Sequence, residues 1–184
     1  MVSIPQNYRR LAGSERQPVP GARLLGPADD DEAFTVTIIL RRRSDGPPPP
    51  AVASFMGSHE RMSSDAFVEK YGAAPDDIAK VVDFAKSQGL AVVDTDRAQR
   101  SVVVSGTVAQ MSQAFAVSLG KYEQGVEARR GAAPQTEIYR GREGYIHVPA
   151  DLADVIVGVF GLDDRRISKR NAADPPSNNN EMTN

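Results

Sequence analysis

The sequence predicts an α+β fold of the ferredoxin-like type, a split βαβ sandwich in which one antiparallel sheet carries helices on one face. Two observations lead to this prediction. Between residues 34 and 122, the apolar patterns follow the order strand, helix, strand, strand, helix, strand, with one short helix added before the first long one. Both ends of the chain are polar and lack such patterns, so the 184 residues are expected to form one domain with two tails.

Changes in composition set the predicted boundaries. Residues 1–32 contain four prolines and no apolar period, which indicates an extended N-terminal arm. Residues 33–162 form the predicted globular domain. Residues 163–184 carry very few apolar side chains and cannot offset the entropy cost of ordering, so we expect a flexible C-terminal linker.

The first predicted strand covers residues 34–41, where β-branched residues alternate. The alternation divides the strand into a face covered by helices and an open face. The covered face carries Phe34, Val36, Ile38 and Leu40. The open face carries Thr35, Thr37, Ile39 and Arg41, with Val103 or its neighbours expected beside them. A run of prolines at 47–50 then predicts a loop.

Two helices are predicted next. The first covers 64–71, with Ser63 or Ser64 as its N-cap, Gly72 as its end, and inward side chains from Phe67, Val68 and Tyr71. The second runs from Pro75 to about Gln88. Two aspartates follow Pro75 in its first turn and Gly89 caps its end. The residues at helical spacing in it are Ile78, Val81, Val82 and Ala85.

Strands are predicted at 90–94 and 101–105, joined by a polar loop at 95–100. Thr107 is the predicted N-cap of a third helix, which reaches Phe115, and 117–122 is the predicted fourth strand of the sheet. A loop at 124–135 leads to two short strands at 138–140 and 145–148. A final helix is predicted from Pro149, with an apolar stripe made by Leu152, Val155, Ile156 and Val159.

Composition excludes several classes of function. The chain has no cysteine, which excludes disulfides, thiolate metal sites and a cysteine nucleophile, and two histidines are too few for a multi-histidine metal centre. The net charge of −2 lacks the basic excess of a protein that binds nucleic acid duplexes. No apolar run is long enough to span a membrane, and residues 1–10 do not form a recognisable signal peptide.

Motifs for catalysis are also missing. The sequence has no Gly-x-Ser-x-Gly elbow, no phosphate-binding glycine loop and no dinucleotide fingerprint. Asp94 and Asp96 begin like a calcium loop, but Gln99 and Ser105 stand where glycine and glutamate are needed, so a polar hairpin end is predicted. His59 is expected on the surface. His147 is expected to be structural or solvent-facing, with pH sensing as the alternative.

Two arginine clusters remain, at 41–43 and 129–130. Each could bind an acidic partner or be solvated charge at a strand end or in a loop.

An ordered set of stretches carries a family resemblance. They are 11–16, 20–23, 26–29 and 36–42 near the N-terminus, 84–90, 104–108 and Phe115 in the middle, and 139–140, 148–152 and 159–163 near the end. In this order and spacing, residues 10–165 closely resemble the activation propeptides of sedolisins, the serine-carboxyl peptidases, especially the kumamolisin-like bacterial ones.

This resemblance implies a ferredoxin-like propeptide that acts as intramolecular chaperone and inhibitor of a subtilisin-like catalytic domain beyond Asn184. The catalytic residues and the calcium site of the family would lie in that domain. Gly106 and Thr107 are followed by Val108 rather than serine, so no catalytic residue is transferred and no cofactor is expected in this chain. The implied zymogen would be secreted or extracytoplasmic.

The expected partner is the cognate peptidase catalytic domain, with no nucleic acid and no membrane, and the isolated chain is expected to be a monomer. The mixed open face of Thr35, Thr37, Ile39, Arg41 and Val103 is the candidate docking surface. The candidate cleavage positions in the linker are Arg165, Arg166, Lys169 and Arg170.

Two alternatives stay open. One is a stand-alone protease inhibitor or protein-binding module, which differs from a propeptide in having no peptidase in the same reading frame. The other is RNA binding, disfavoured because the predicted open face lacks an aromatic stacking pair.

Overall fold

The computed structural model describes residues 3–17, 19–46, 62–126 and 135–165. The strands are Tyr8–Arg10 (β1), Arg23–Pro27 (β2), Ala33–Leu40 (β3), Ala91–Asp96 (β4), Ser101–Thr107 (β5), Leu119–Val126 (β6), Gln135–Arg142 (β7), His147–Pro149 (β8) and Ile156–Phe160 (β9). The helices are Ser64–Tyr71 (α1), Pro75–Ser87 (α2) and Val108–Ala114 (α3). None of the described helices has the length and apolar composition needed to cross a membrane.

The main sheet confirms the predicted α+β class. Its strand order is β4-β5-β3-β9, and every neighbouring pair is antiparallel. The chain enters through β3, passes through α1 and α2 to the β4–β5 hairpin, then through α3, and returns to the sheet at β9. This is the ferredoxin-like arrangement, interrupted between α3 and β9 by a long insertion.

The core lies between this sheet and two helices. The β3 residues Val36, Ile38 and Leu40 are fully buried and belong to one cluster with buried side chains of α2 and α3. Phe84 of α2 meets Phe115, just after α3, edge to face with ring centroids 6.2 Å apart. The helices therefore cover one face of the sheet, as the alternation in β3 predicts.

Local signals explain where the helices begin and end. Ser63 caps α1 and Thr107 caps α3, as predicted. Pro75 begins α2, and Gly89 ends it in the left-handed region at φ +72°, where a side chain would be strained. The inward face predicted for α1 is wrong, because Phe67 is exposed and no residue of this helix is buried.

The predicted fourth strand at 117–122 does not join the main sheet. Residues 119–126 form β6, which pairs with β2 on one side and β7 on the other in a separate three-stranded sheet. The N-terminal arm thus contributes β2 to this sheet and β1 to a pair with β8. These pairings join segments far apart in sequence, which a local pattern does not reveal.

The predicted final helix is wrong. Residues 150–155 form turns, and the following residues form strand β9, which pairs with β3. The four residues of the predicted stripe, Leu152, Val155, Ile156 and Val159, are all buried. Their spacing therefore identified core residues correctly. These residues lie in a turn and in an edge strand, and not in a helix.

Candidate functional site

The face of the main sheet opposite the helices is the largest surface on which the predicted site residues meet. Directly opposed residues of an antiparallel pair project to the same face. Thr35 pairs with Ser105, and Thr37 pairs with Val103 on one side and Phe160 on the other. We call this surface the open face. Thr35 is exposed on it, while Thr37, Ile39 and Val103 are half-buried.

Two exposed apolar side chains border the open face at its two edge strands. Val93 lies in β4, where a bulge places two residues opposite Val103, and it is 61% exposed. Phe160 lies in β9 and is 59% exposed. A Cβ added at Gly158 would lie 2.7 Å from the Phe160 ring, so the ring lies over this glycine along the sheet surface.

Phe160 is not predicted as a surface residue, because the apolar spacing from Leu152 to Val159 predicts a helix that ends there. A signal was available, since residues 155–160 contain four β-branched residues and a glycine between them. With Phe160 included, the open face has one exposed aromatic ring among its described residues. One ring does not make the stacking pair of an RNA-binding sheet.

Arg41 is separated from the other predicted site residues. It follows the last residue of β3, and its Nε and a terminal nitrogen donate to the carboxylate of Asp77 at 2.9 and 3.3 Å. Asp77 is buried in the first turn of α2, and this hydrogen bond raises the pKa of Arg41. The Arg41 side chain therefore joins the helix layer and does not extend the open face.

Arg140 of β7 holds the segment that follows β9 near the start of β3. Its side chain is buried, pairs with Glu32, and donates from Nε to the carbonyl of Leu162 at 3.2 Å. The guanidinium carbon also lies 3.7 Å from the centroid of the Phe34 ring. We call these contacts the Arg140 junction.

The start of the predicted linker is tied to the same strand. The backbone N–H of Arg140 donates to the Asp164 carboxylate at 2.6 Å, and the Asp164 N–H donates back to the Arg140 carbonyl at 3.1 Å. Among the cleavage candidates, Arg165 follows directly and is half-buried. Arg166, Lys169 and Arg170 lie outside the described residues, as does the rest of the linker.

The remaining candidates lie away from the open face or outside the described residues. His147 is buried in β8, where its backbone N–H donates to the Phe115 carbonyl at 2.9 Å. Asp96 begins the β4–β5 turn and accepts the N–H of Gln99 at 2.9 Å, which makes it a hairpin end. His59 and the cluster at 129–130 lie outside the described residues. Within the described residues, no group of three histidine, aspartate or glutamate side chains is arranged to hold a metal ion.

Comparisons with known proteins give the family. The family described as Pro-kumamolisin, activation domain, matches residues 20–165. The chain is 34% identical over 163 residues to kumamolisin from Bacillus sp. strain MN-32, covering 86% of this chain and 28% of that protein. It is 30% identical over 177 residues to tripeptidyl-peptidase sed5 from Aspergillus fumigatus, covering 90% of this chain and 30% of that protein.

The chain thus spans less than a third of the length of these two relatives. The family match covers the main sheet, its helices, the second sheet and the Arg140 junction together. The chain therefore belongs to the Pro-kumamolisin activation domain family.

Proposed function

We propose that this chain is the non-catalytic propeptide of a sedolisin-type serine-carboxyl peptidase zymogen. In this role it assists folding of the peptidase catalytic domain and inhibits it until the linker is cut. Family membership carries the proposal, because both relatives extend far beyond the part that matches this chain. The isolated chain is a monomer, and the zymogen is exported from the cytoplasm.

The open face is the proposed docking surface on the catalytic domain. Its half-buried Thr37, Ile39 and Val103 form a low, mixed surface, and Val93 and Phe160 add exposed apolar area at the two edges. A standard interface buries about 800 Å² on each partner, an area that a four-stranded face can supply. An exposed aromatic ring such as that of Phe160 is a suitable anchor for such an interface.

Docking explains the proposed chaperone action thermodynamically. A surface that binds the folded catalytic domain and not its unfolded chain lowers the free energy of the folded state. The sheet that makes this surface is held by its own helices and core, so it is already formed when the catalytic domain folds.

Inhibition is assigned to the linker. Because the Arg140 junction holds residues 161–164 to the domain, the linker leaves the domain from a fixed point. A tethered segment reaches a local concentration of roughly millimolar, so even weak binding in the substrate cleft blocks the enzyme. Cleavage at Arg165, Arg166, Lys169 or Arg170 would remove the tether.

Acidification is the proposed trigger. A carboxylate that meets a basic group across the interface has a lowered pKa in the complex, so its contribution to binding is present above the free pKa. That contribution is lost as the pH falls through the bound pKa. Carboxylates of Asp and Glu titrate near pH 4 when free, so binding should begin to weaken near pH 5 and should weaken most between about pH 4 and pH 3.

The direct test adds this chain to its separately prepared peptidase catalytic domain. We expect inhibition in trans, a higher refolding yield of the denatured peptidase, and an inhibition constant that rises as the pH falls from about 5 to about 3. Circular dichroism of the chain alone checks that it stays folded over this range. An enzyme that is neither inhibited nor refolded contradicts the proposed function, and a flat or falling inhibition constant contradicts the acid trigger.

A further inference from the structure

A small depression lies beside the open face where β9 ends. It has a volume of about 160 Å³, and its lining includes Arg16, Arg142, Phe160, Asp163 and Arg165. Phe160 belongs both to this depression and to the open face, so the two surfaces are continuous. We call the depression the arginine pocket.

The arginine pocket is lined by three arginines and one acidic residue, Asp163. Within the described residues, none of the three arginines forms an ion pair with an acidic side chain. Asp163 accepts the backbone N–H of Arg165 at 2.9 Å, which engages one of its oxygens. The pocket therefore has an excess of positive charge, although the chain as a whole carries a net charge of −2.

Arg142 is the fixed element of the pocket. It is only 7% exposed, and its two terminal nitrogens donate to the carbonyls of Gly144 at 2.8 Å and Ser14 at 2.7 Å. Arg16 is held nearby through reciprocal backbone hydrogen bonds with Gly144, both 2.9 Å long. The Arg142 charge and the backbone of Arg16 are thus positioned before any partner arrives, which lowers the entropy cost of binding an anion.

The charge of Arg142 is only partly compensated within the domain. Burial, together with the neighbouring charge of Arg16, lowers the pKa of Arg142 to about 10, and the Asp163 carboxylate opposes this shift only in part. A buried cation is normally paired. An incoming carboxylate would compensate this charge and could accept two hydrogen bonds from a guanidinium fork.

We propose that the arginine pocket receives an acidic side chain of the peptidase catalytic domain when that domain docks on the open face. This inference rests on the proposed function and adds a specific polar contact beside the apolar anchor Phe160. An aromatic ring next to arginine is a frequent pairing in the energetically dominant part of protein interfaces. A protein carboxylate also suits the chain better than nucleic acid, because the chain as a whole carries a net charge of −2.

The test measures the dissociation constant between the full chain and its cognate catalytic domain, in which the nucleophilic serine is replaced by alanine to prevent cleavage. The variant reverses two accessible charges, Arg16→Glu with Arg165→Glu, and leaves Arg142 in place. The matched control, Lys80→Glu with Lys86→Glu, makes the same change in net charge on exposed positions of α2, behind the sheet. Circular dichroism checks that both variants fold.

We expect the pocket variant to bind at least about tenfold more weakly and the control to bind within about twofold of wild type. Raising the salt concentration from about 0.05 M to about 0.5 M should weaken wild-type binding more than binding by the pocket variant. The inference is wrong if wild type binds and the pocket variant binds no more weakly than the control. In that case no acidic side chain of the catalytic domain occupies the pocket. If wild type itself does not bind, the proposed function fails with it.

Discussion

At the scale of single residues, two arginines at alternate positions of β7 have different roles because they meet different partners. Arg140 is paired with Glu32 and bonded to the carbonyls of residues 161 and 162, so its charge is compensated within the domain. Arg142 is equally buried, but its described bonds go to neutral carbonyls. The first arginine is therefore structural, and the second is the basis of the proposed recognition site.

Replacing Arg140 with alanine should cost about 2 kcal/mol of unfolding free energy, because it removes the hydrogen bonds that a buried guanidinium makes to the Leu162 carbonyl and to Glu32, which is 38% exposed. The control is Arg23→Ala, which breaks an ion pair with Glu123 at 2.8 Å whose arginine is 73% exposed. This control should cost about 0.5 kcal/mol or less. Urea denaturation measures both values, and equal costs would contradict the structural role of the Arg140 junction.

Tyr122 should make the domain less stable in alkali. Burial, helped by a 3.1 Å hydrogen bond to Glu143, raises the pKa of Tyr122 to about 12 from the ordinary value of 10.0. The folded state therefore keeps the phenol protonated when the unfolded chain has lost the proton, so stability is complete below pH 10 and declines between pH 10 and about 12.

The variant Tyr122→Phe should lose about 1 kcal/mol near neutral pH and show a shallower alkaline decline. Part of the decline should remain, because burial also raises the pKa of the stacked neighbour Tyr139. Urea midpoints measured below and above pH 10 test this. An alkaline decline as steep as that of wild type would show that Tyr122 does not cause it.

At the scale of elements, local chemistry predicted the helices and the main strands well. Ser63, Pro75 and Thr107 mark helix starts, and the alternation from 34 to 40 separates the buried face of β3 from the open face. The β9 strand was missed because Leu152, Val155, Ile156 and Val159 also fit a helical period over such a short segment. Only the pairing of this segment with β3 shows that it forms a strand and not a helix.

Local sequence patterns also predict only part of the candidate site. Thr35, Thr37, Ile39 and Val103 follow from alternation and strand pairing, and the structure brings them together. Phe160 and the arginine pocket depend on contacts between β9, β7 and the N-terminal segment, which lie far apart in sequence. No local pattern gives the direction of the Arg41 side chain, which turns to Asp77 because a buried carboxylate lies within its reach.

The cap of α3 should matter more than the cap of α1. Thr107 accepts the N–H of Gln110 at 3.3 Å, and Gln110 in turn accepts the Thr107 N–H at 2.9 Å and donates to the Gly89 carbonyl at 2.9 Å. Thr107→Ala should therefore cost about 1 kcal/mol.

Ser63→Ala, the matched change in α1, should cost about 0.5 kcal/mol or less, because no α1 residue is buried and the helix can open locally. Both costs are read from urea denaturation followed by circular dichroism. A larger loss from Ser63→Ala would mean that α1 contributes more to the fold than its burial indicates.

At the scale of the whole molecule, the domain has one sheet face covered by helices and one left open, and the Arg140 junction of the second sheet holds the segment that follows β9. This arrangement suits a domain that presents a preformed surface and a tethered segment to the same partner. The insertion between α3 and β9 supplies both Arg140 and Arg142. Through Arg140, the insertion holds the start of the linker to which we assign inhibition.

The central claim is that the open face docks on the peptidase catalytic domain, and binding by three single arginine variants tests it most directly. Val93→Arg and Phe160→Arg each place a long charged side chain on the open face, while Ala79→Arg places one on the exposed side of α2. We predict that the dissociation constant for the inactive catalytic domain rises at least about tenfold for the first two variants and changes less than about twofold for the third. Unchanged binding by Val93→Arg and Phe160→Arg, with both variants folded by circular dichroism, would contradict the account.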